Sequence, residues 1–171
     1  LSGYDAPGQS GQARTLFTFG DTFIGQVDPK TRARKAWVLI NSSAAILEGN
    51  QPDPSRIRFS WDQRHGHKPQ PFFIPSTPFN RNIKCWYWLQ DNLCTHKVVY
   101  NFPMIVEEDV SRPQGFQFKI SGVSLVKIPV RSRRPLFQDH SQSDTPLFYR
   151  QGKFCVYFGA GILANTEEAG A

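Results

Sequence analysis

Apolar and polar residues alternate in short runs along almost the whole chain, and no segment shows the three- and four-residue spacing of an amphipathic helix. The runs that read as strands are RTLFTFG (14–20), AWVLIN (36–41), AAILEG (44–49), RIRFSWD (56–62), KCWYWLQD (84–91), KVVYNFPMIVEE (97–108), FQFKISGVSLVKIPV (116–130), TPLFYR (145–150) and KFCVYFGAGIL (153–163). AAILEG also has the propensity for a helical turn, but it is too short to form more than one. Segments rich in Gly, Pro, Asp, Asn and Ser separate the runs, among them GNQPDPS, RHGHKPQP, STPFNRN and SRPQG. Many short strands joined by polar turns predict an all-β fold of antiparallel sheets, whether sandwich, barrel or propeller.

One stretch breaks the alternation. FGDTFIG (19–25) sets a carboxylate, Asp21, among apolar residues. Gly-Asp is turn chemistry, and the alternative is a strand that carries a functional acid into a pocket. A related form recurs in TLFTFGDTF, VVYNFPMIV and CVYFGAGIL: a β-rich run ending in an aromatic residue, then Gly or Pro, then a second apolar run. Phe19, Phe102 and Phe158 are the matched aromatics. Irregular repetition of this kind favours propeller blades, which tolerate loop insertions, over a sandwich.

Composition agrees with the strands. The 171 residues hold 14 Phe, 5 Tyr and 4 Trp, with 13 Gly and 13 Pro as punctuation, and 39% hydrophobic residues suffice for the core of one domain. No stretch approaches the roughly 18 uninterrupted apolar residues of a membrane span. The opening residues lack the charged-then-apolar order of a signal peptide, so a secreted or periplasmic address is left open. The net charge of +6 raises nucleic acid as a partner, but the basic residues fall into clusters, KTRARK (30–35) and RSRR (131–134), where solvated turns are expected. No nucleic-acid or membrane partner is therefore expected. The three cysteines have no CxxC spacing, and Cys85 and Cys94, nine positions apart, point to opposite faces of a continuous strand. No metal site is expected either: His65 and His67 sit in a Gly- and Pro-flanked loop, and His96 and His140 have no visible partner acid.

TLFTFGDTFIGQV, INSSAAILEG, YWLQDN, FPMIVEED, GFQFKISGVSLVKIPV, TPLFYR and YFGAGILANTEEAGA, in that order, resemble a family of uncharacterised bacterial proteins with a domain of unknown function. The resemblance runs from about residue 12 to residue 171 and implies a five-bladed β-propeller similar to furanosidase- and arabinanase-type glycoside hydrolases. Two departures accompany it: a first short strand expected ahead of the LSG loop is absent, and the family pattern continues past NTEEAGA. The expectation is an internal piece of a propeller, about two to three blades, with units near 12–75, 76–140 and 141–171. Other chains or further segments would be needed to close the ring.

The same resemblance implies a carbohydrate partner and hydrolysis of poly- or oligosaccharide by carboxylates that converge on a central funnel. Asp21, Asp91 and Glu167 are the candidate catalytic acids, Asp21 first, with a turn or blade-closing role as its alternative. Trp86 and Trp88, on one face of a strand, could form an aromatic platform for a sugar ring or be wedged between blades as core. Asn41 and Thr22 are counted with the substrate-binding residues. Glu107, Glu108 and Asp109 read as a solvated loop. No cofactor is implied, although a propeller funnel admits a structural cation such as calcium. The runner-up reading is a carbohydrate-binding or scaffold propeller that cleaves nothing.

Overall fold

The computed structural model describes residues 14–162, apart from 50, 65, 67, 96, 133 and 147. Among these the fold is all-β, with antiparallel sheets, three short 3-10 turns and no α-helix, hence no helix long and apolar enough to cross a membrane. Two long meanders account for most of it.

The first is a hairpin whose arms are each broken once. Arg14–Phe19 (β1) and Thr22–Val27 (β2) form the outgoing arm, and Arg34–Ile40 (β3) and Ser43–Glu48 (β4) form the return. Phe19 lies opposite Ser43 and Thr22 opposite Ile40, so the two ladders keep one register across the break. The break itself falls at Gly20 and Asp21 on one arm and at Asn41 and Ser42 on the other. Ile57–Ser60 (β5) adds a third arm against β4. At the tip, Asp28 accepts from the backbone N–H groups of Lys30 and Thr31, both at 2.9 Å, and from Lys35 Nζ at 2.6 Å. The Lys35 bond, followed by those backbone bonds, holds the Asp28 carboxyl down to about 2. The KTRARK cluster is thus a charged turn closed by an aspartate.

The second meander has four arms. Cys85–Trp88 (β6) and Asn92–Cys94 (β7) make the first, Val98–Asn101 (β8) and Met104–Glu108 (β9) the second. Phe118–Arg131 (β10), 14 residues long, is the third. Arg134–Pro135 (β11) and Ser141–Thr145 (β12) make the fourth. Asn101 faces Val126 and Met104 faces Val123, so the second arm also keeps its register through its break at Phe102 and Pro103. Pro103 has no N–H to give, yet its carbonyl still accepts from Ser124 N at 3.0 Å. Ser121 is the extra residue of a bulge on β10, and its hydroxyl donates to Glu107 at 2.7 Å. A separate hairpin, Phe148–Gln151 (β13) with Phe154–Tyr157 (β14), follows. Phe19 and Phe102 stand at the breaks in their arms, and Phe158 directly follows the end of β14.

One apolar core joins the meanders. Leu16 and Ala44 from the first pack with Tyr87, Val99, Ile105, Val126 and Ile128 from the second, and with Phe72, Phe73 and Phe137 from the connections. The Phe72 and Phe137 rings stack at 4.4 Å and 16°. Glu107 and Glu108 are not loop residues: they end β9, where alternation sends them to opposite faces and to different lysines, Lys119 at 3.3 Å and Lys84 at 2.6 Å. Cys85, Cys94 and Cys155 form no disulfide among the described residues.

A polar cluster borders this core, with Gln142 and His140 half-buried. Gln142 uses both ends of its amide: Oε1 accepts from Tyr87 Oη at 2.9 Å and Ser76 N at 3.0 Å, while Nε2 donates to the Ile74 carbonyl and to His140 Nε2, both at 2.9 Å. For Nε2 of His140 to accept, the ring must be neutral with its proton on Nδ1, which then donates to the Phe137 carbonyl at 2.7 Å. Burial, which disfavours the imidazolium, lowers the His140 pKa from its ordinary value. Below about pH 6.5 the unfolded chain therefore binds a proton that the folded chain resists. Stability is complete above that pH and falls as the pH drops through it. Urea titrations from pH 7.5 to 5.5 check this, with His140→Gln expected to flatten that part of the profile.

Candidate functional site

The first break and the edge arm of the second meander meet at one corner. Because the ladder keeps its register across the break, Asp21 comes opposite Asn41, and Asn41 Nδ2 donates to Asp21 Oδ1 at 2.9 Å. From β6, Trp88 Nε1 donates to the same oxygen at 3.2 Å. The two meanders are in contact here: a Cβ on Gly20 would meet Leu89 N and the Trp88 ring at 3.7 Å, an ordinary van der Waals distance. Asp21 is exposed, and its Oδ2 has no partner among the described residues. The Trp88 ring is half-buried and meets Phe118 edge-on at 4.8 Å. Thr22 is turned away from this corner, with its hydroxyl on the Gly20 carbonyl at 2.9 Å and the Ser43 hydroxyl at 2.8 Å.

Beneath the corner lies a chain of amides. Asn92 Nδ2 donates to Thr18 Oγ1 at 2.8 Å, and Asn92 Oδ1 accepts from the buried Asn101 at 2.9 Å. Asn101 Nδ2 also reaches the carbonyls of Gln90, at 3.0 Å, and Asp91, at 3.3 Å, and so fixes the bend between β6 and β7. Asp91 sits in that bend with both oxygens engaged by backbone amides: Oδ1 by Asn92 N at 2.8 Å and Oδ2 by Ile162 N at 3.0 Å. Its carboxylate clasps the segment after β14. Gly159 in that segment lies so close to Phe102 that a Cβ would stand 2.7 Å from the Phe102 Cβ.

The structure therefore brings Asp21, Asn41 and Trp88 together, with Asp91 on the other side of the same bend. Trp86 shares a strand face with Trp88, but its indole N–H is buried, with no acceptor among the described residues, which suits packing better than display to a ligand. Glu167, His65, His67 and His96 lie outside the described residues. Among the described residues no three His, Cys, Asp or Glu side chains gather closely enough to hold a metal ion.

A model of one protein family, the domain of unknown function DUF5005, matches residues 9–168. The chain belongs to that family. No curated protein and no solved structure matches this DUF5005 chain.

Three contributors to the corner of the DUF5005 domain escape a reading of its sequence. Thr18, Asn92 and Asn101 are ordinary strand and turn residues by type, and Asn92 reads as no more than a good turn former. The available signal was Asn101: an amide in the middle of the apolar run VVYNFPMIV must find partners if the run is buried.

Proposed function

We propose that this domain binds carbohydrate without cleaving it, at the corner formed by Asp21, Asn41 and Trp88, on a scaffold of propeller-type blades. The observation that carries the reading is the state of the Asp21 carboxylate. One oxygen is fixed by two side-chain donors, and the other has no partner among the described residues and lies beside a half-exposed indole. An oriented carboxylate can accept from sugar hydroxyls, and the apolar face of a pyranose or furanose ring can lie against an aromatic one. Hydrolysis asks for more, namely two carboxyl groups on opposite sides of the scissile bond. Asp91, the other described candidate, spends both oxygens on backbone amides. The four-arm meander over 85–145 has the strand order of a propeller blade, which supports the scaffold half of the reading.

Isothermal titration of the whole chain with neutral cello-, xylo- and arabino-oligosaccharides tests it. Binding to at least one is expected, weakened in Asp21→Asn and Asp21→Ala by about 1.5–3 kcal/mol, the usual worth of a hydrogen bond to a charged group. That loss corresponds to roughly ten- to a hundredfold in Kd. Affinity unchanged by both substitutions would remove the corner from the function. Release of reducing ends by the wild type, abolished in Asp21→Asn, would replace binding with hydrolysis.

A further inference from the structure

A second site lies at the other end of the first meander. A cleft of about 660 Å³, within the roughly 300–1,000 Å³ range of small-molecule sites, opens between β1, β4 and β5 on one wall and the segment around β11 on the other. Registers explain the first wall. Arg14 lies opposite Glu48, and Ile46 lies opposite Arg58, so these side chains share one sheet face at the end where the buried core stops. The second wall brings Arg134 and Asp139, and Trp61 lines the cleft beside the stacked pair Phe72 and Phe137.

Charge decides what such a cleft takes. Arg14 and Glu48 pair at 2.8 Å and neutralise each other. Arg58 and Arg134 form no ion pair among the described residues, nor does Asp139, which leaves two guanidinium groups against one carboxylate. Guanidinium groups match carboxylate and sulfate oxygens in a planar, two-point fashion, and the aromatic lining offers faces to an apolar ring surface.

We infer that the Arg58–Arg134 cleft binds an anionic sugar, one bearing a carboxylate or sulfate group, with the charge on the two arginines and the ring toward Trp61. The ligand class rests on the carbohydrate reading above; the place does not, because none of the corner residues lines this cleft. Asp139 then serves as an acceptor for a ring hydroxyl.

The test titrates the whole chain with trigalacturonate, with a sulfated disaccharide, and with neutral oligosaccharides of matching length. At least one of the two anionic probes is expected to bind, and whichever does identifies the anionic group. Losing either Arg58 or Arg134 to Ala should weaken it by about tenfold or more, the two substitutions together should abolish it, and added salt should weaken the wild-type interaction. Asp21→Asn should leave it unchanged. Arg58→Lys and Arg134→Lys, which keep the charge and lose the two-point geometry, should give intermediate affinities. Equal affinity for the neutral and anionic sugars, anionic binding indifferent to both arginines, or no binding of either anionic probe would overturn the inference. Neutral-sugar binding lost in Asp21→Asn but kept in the arginine variants leaves the corner standing whatever happens at the cleft, so the two readings fail separately.

Discussion

Tyr87→Ala should destabilise the domain by about 3–5 kcal/mol, the range for truncating a large buried aromatic side chain. That is a large share of the roughly 5–15 kcal/mol that holds an ordinary domain together. The ring is fully buried between the meanders, in the same cluster as Leu16, Phe72, Phe73, Ile105 and Val126. Its hydroxyl stands within hydrogen-bonding distance of Asn80 Nδ2 at 3.0 Å, Ser124 Oγ at 3.1 Å and Gln142 Oε1 at 2.9 Å. Burial pushes its pKa up to about 12, so it remains a phenol and can donate throughout the working range of pH. Tyr87→Phe separates the two contributions. It keeps the ring and strands the groups around it, at a cost of about 1–3 kcal/mol for an unsatisfied buried partner. Chemical denaturation of both variants gives the two numbers; equal and small losses would mean that the ring packs less tightly than its burial implies.

How much of this was legible depends on what each residue answers to. The strands near 14–20, 44–49, 56–62, 84–91, 97–108 and 116–130 could be read because those arms border the core, whereas 36–41, where β3 is exposed except at Ile40, was legible from its apolar run alone. The outgoing arm beyond Asp21 was harder, because TFIGQV is largely exposed and carries a bulge between Ile24 and Gln26. The fourth arm of the second meander was invisible: SQSDT has no apolar alternation and is a strand only because β10 offers it an edge. Glu107 and Glu108 looked like a loop because consecutive like charges usually are, and only the register shows that they face apart. The aromatic-Gly and aromatic-Pro pairs did carry information, since each stands where a strand ends. Asp21 and Asn41 stood out by type, but their pairing is a property of the ladder, and the indole that completes the corner comes from the other meander. The cleft arginines could not be associated at all, because Arg58 and Arg134 come to line one cleft only through tertiary packing.

The same dependence on distant partners predicts the largest effect on the corner from a residue that does not touch it. Asn101 is fully buried on β8, and its amide holds the carbonyls of Gln90 and Asp91 and the side chain of Asn92. Asn101→Leu is close in size and apolar, so it suits the surrounding core, but it leaves those three acceptors without their donor. At about 1–3 kcal/mol for each buried group left unsatisfied, and with some relaxation toward solvent, a loss of about 2–5 kcal/mol is expected. The bend it supports carries three functions at once. Asn92 ties it to Thr18 on the first meander, Asp91 ties it to Ile162, and Trp88 at its start orients Asp21. Freeing the bend should therefore weaken sugar binding at the corner as well as stability, whereas Asp91→Ala, which releases only the Ile162 clasp and the Asn92 amide, should spare binding and loosen the segment after β14. Hydrogen exchange resolves the two cases: Asn101→Leu should raise exchange on both sides of the 88–92 bend, and Asp91→Ala chiefly around 159–162. If Asn101→Leu lowered stability yet left binding intact, Asp21 and Trp88 would be held together without the amide chain beneath them, and the corner would not depend on the 88–92 bend.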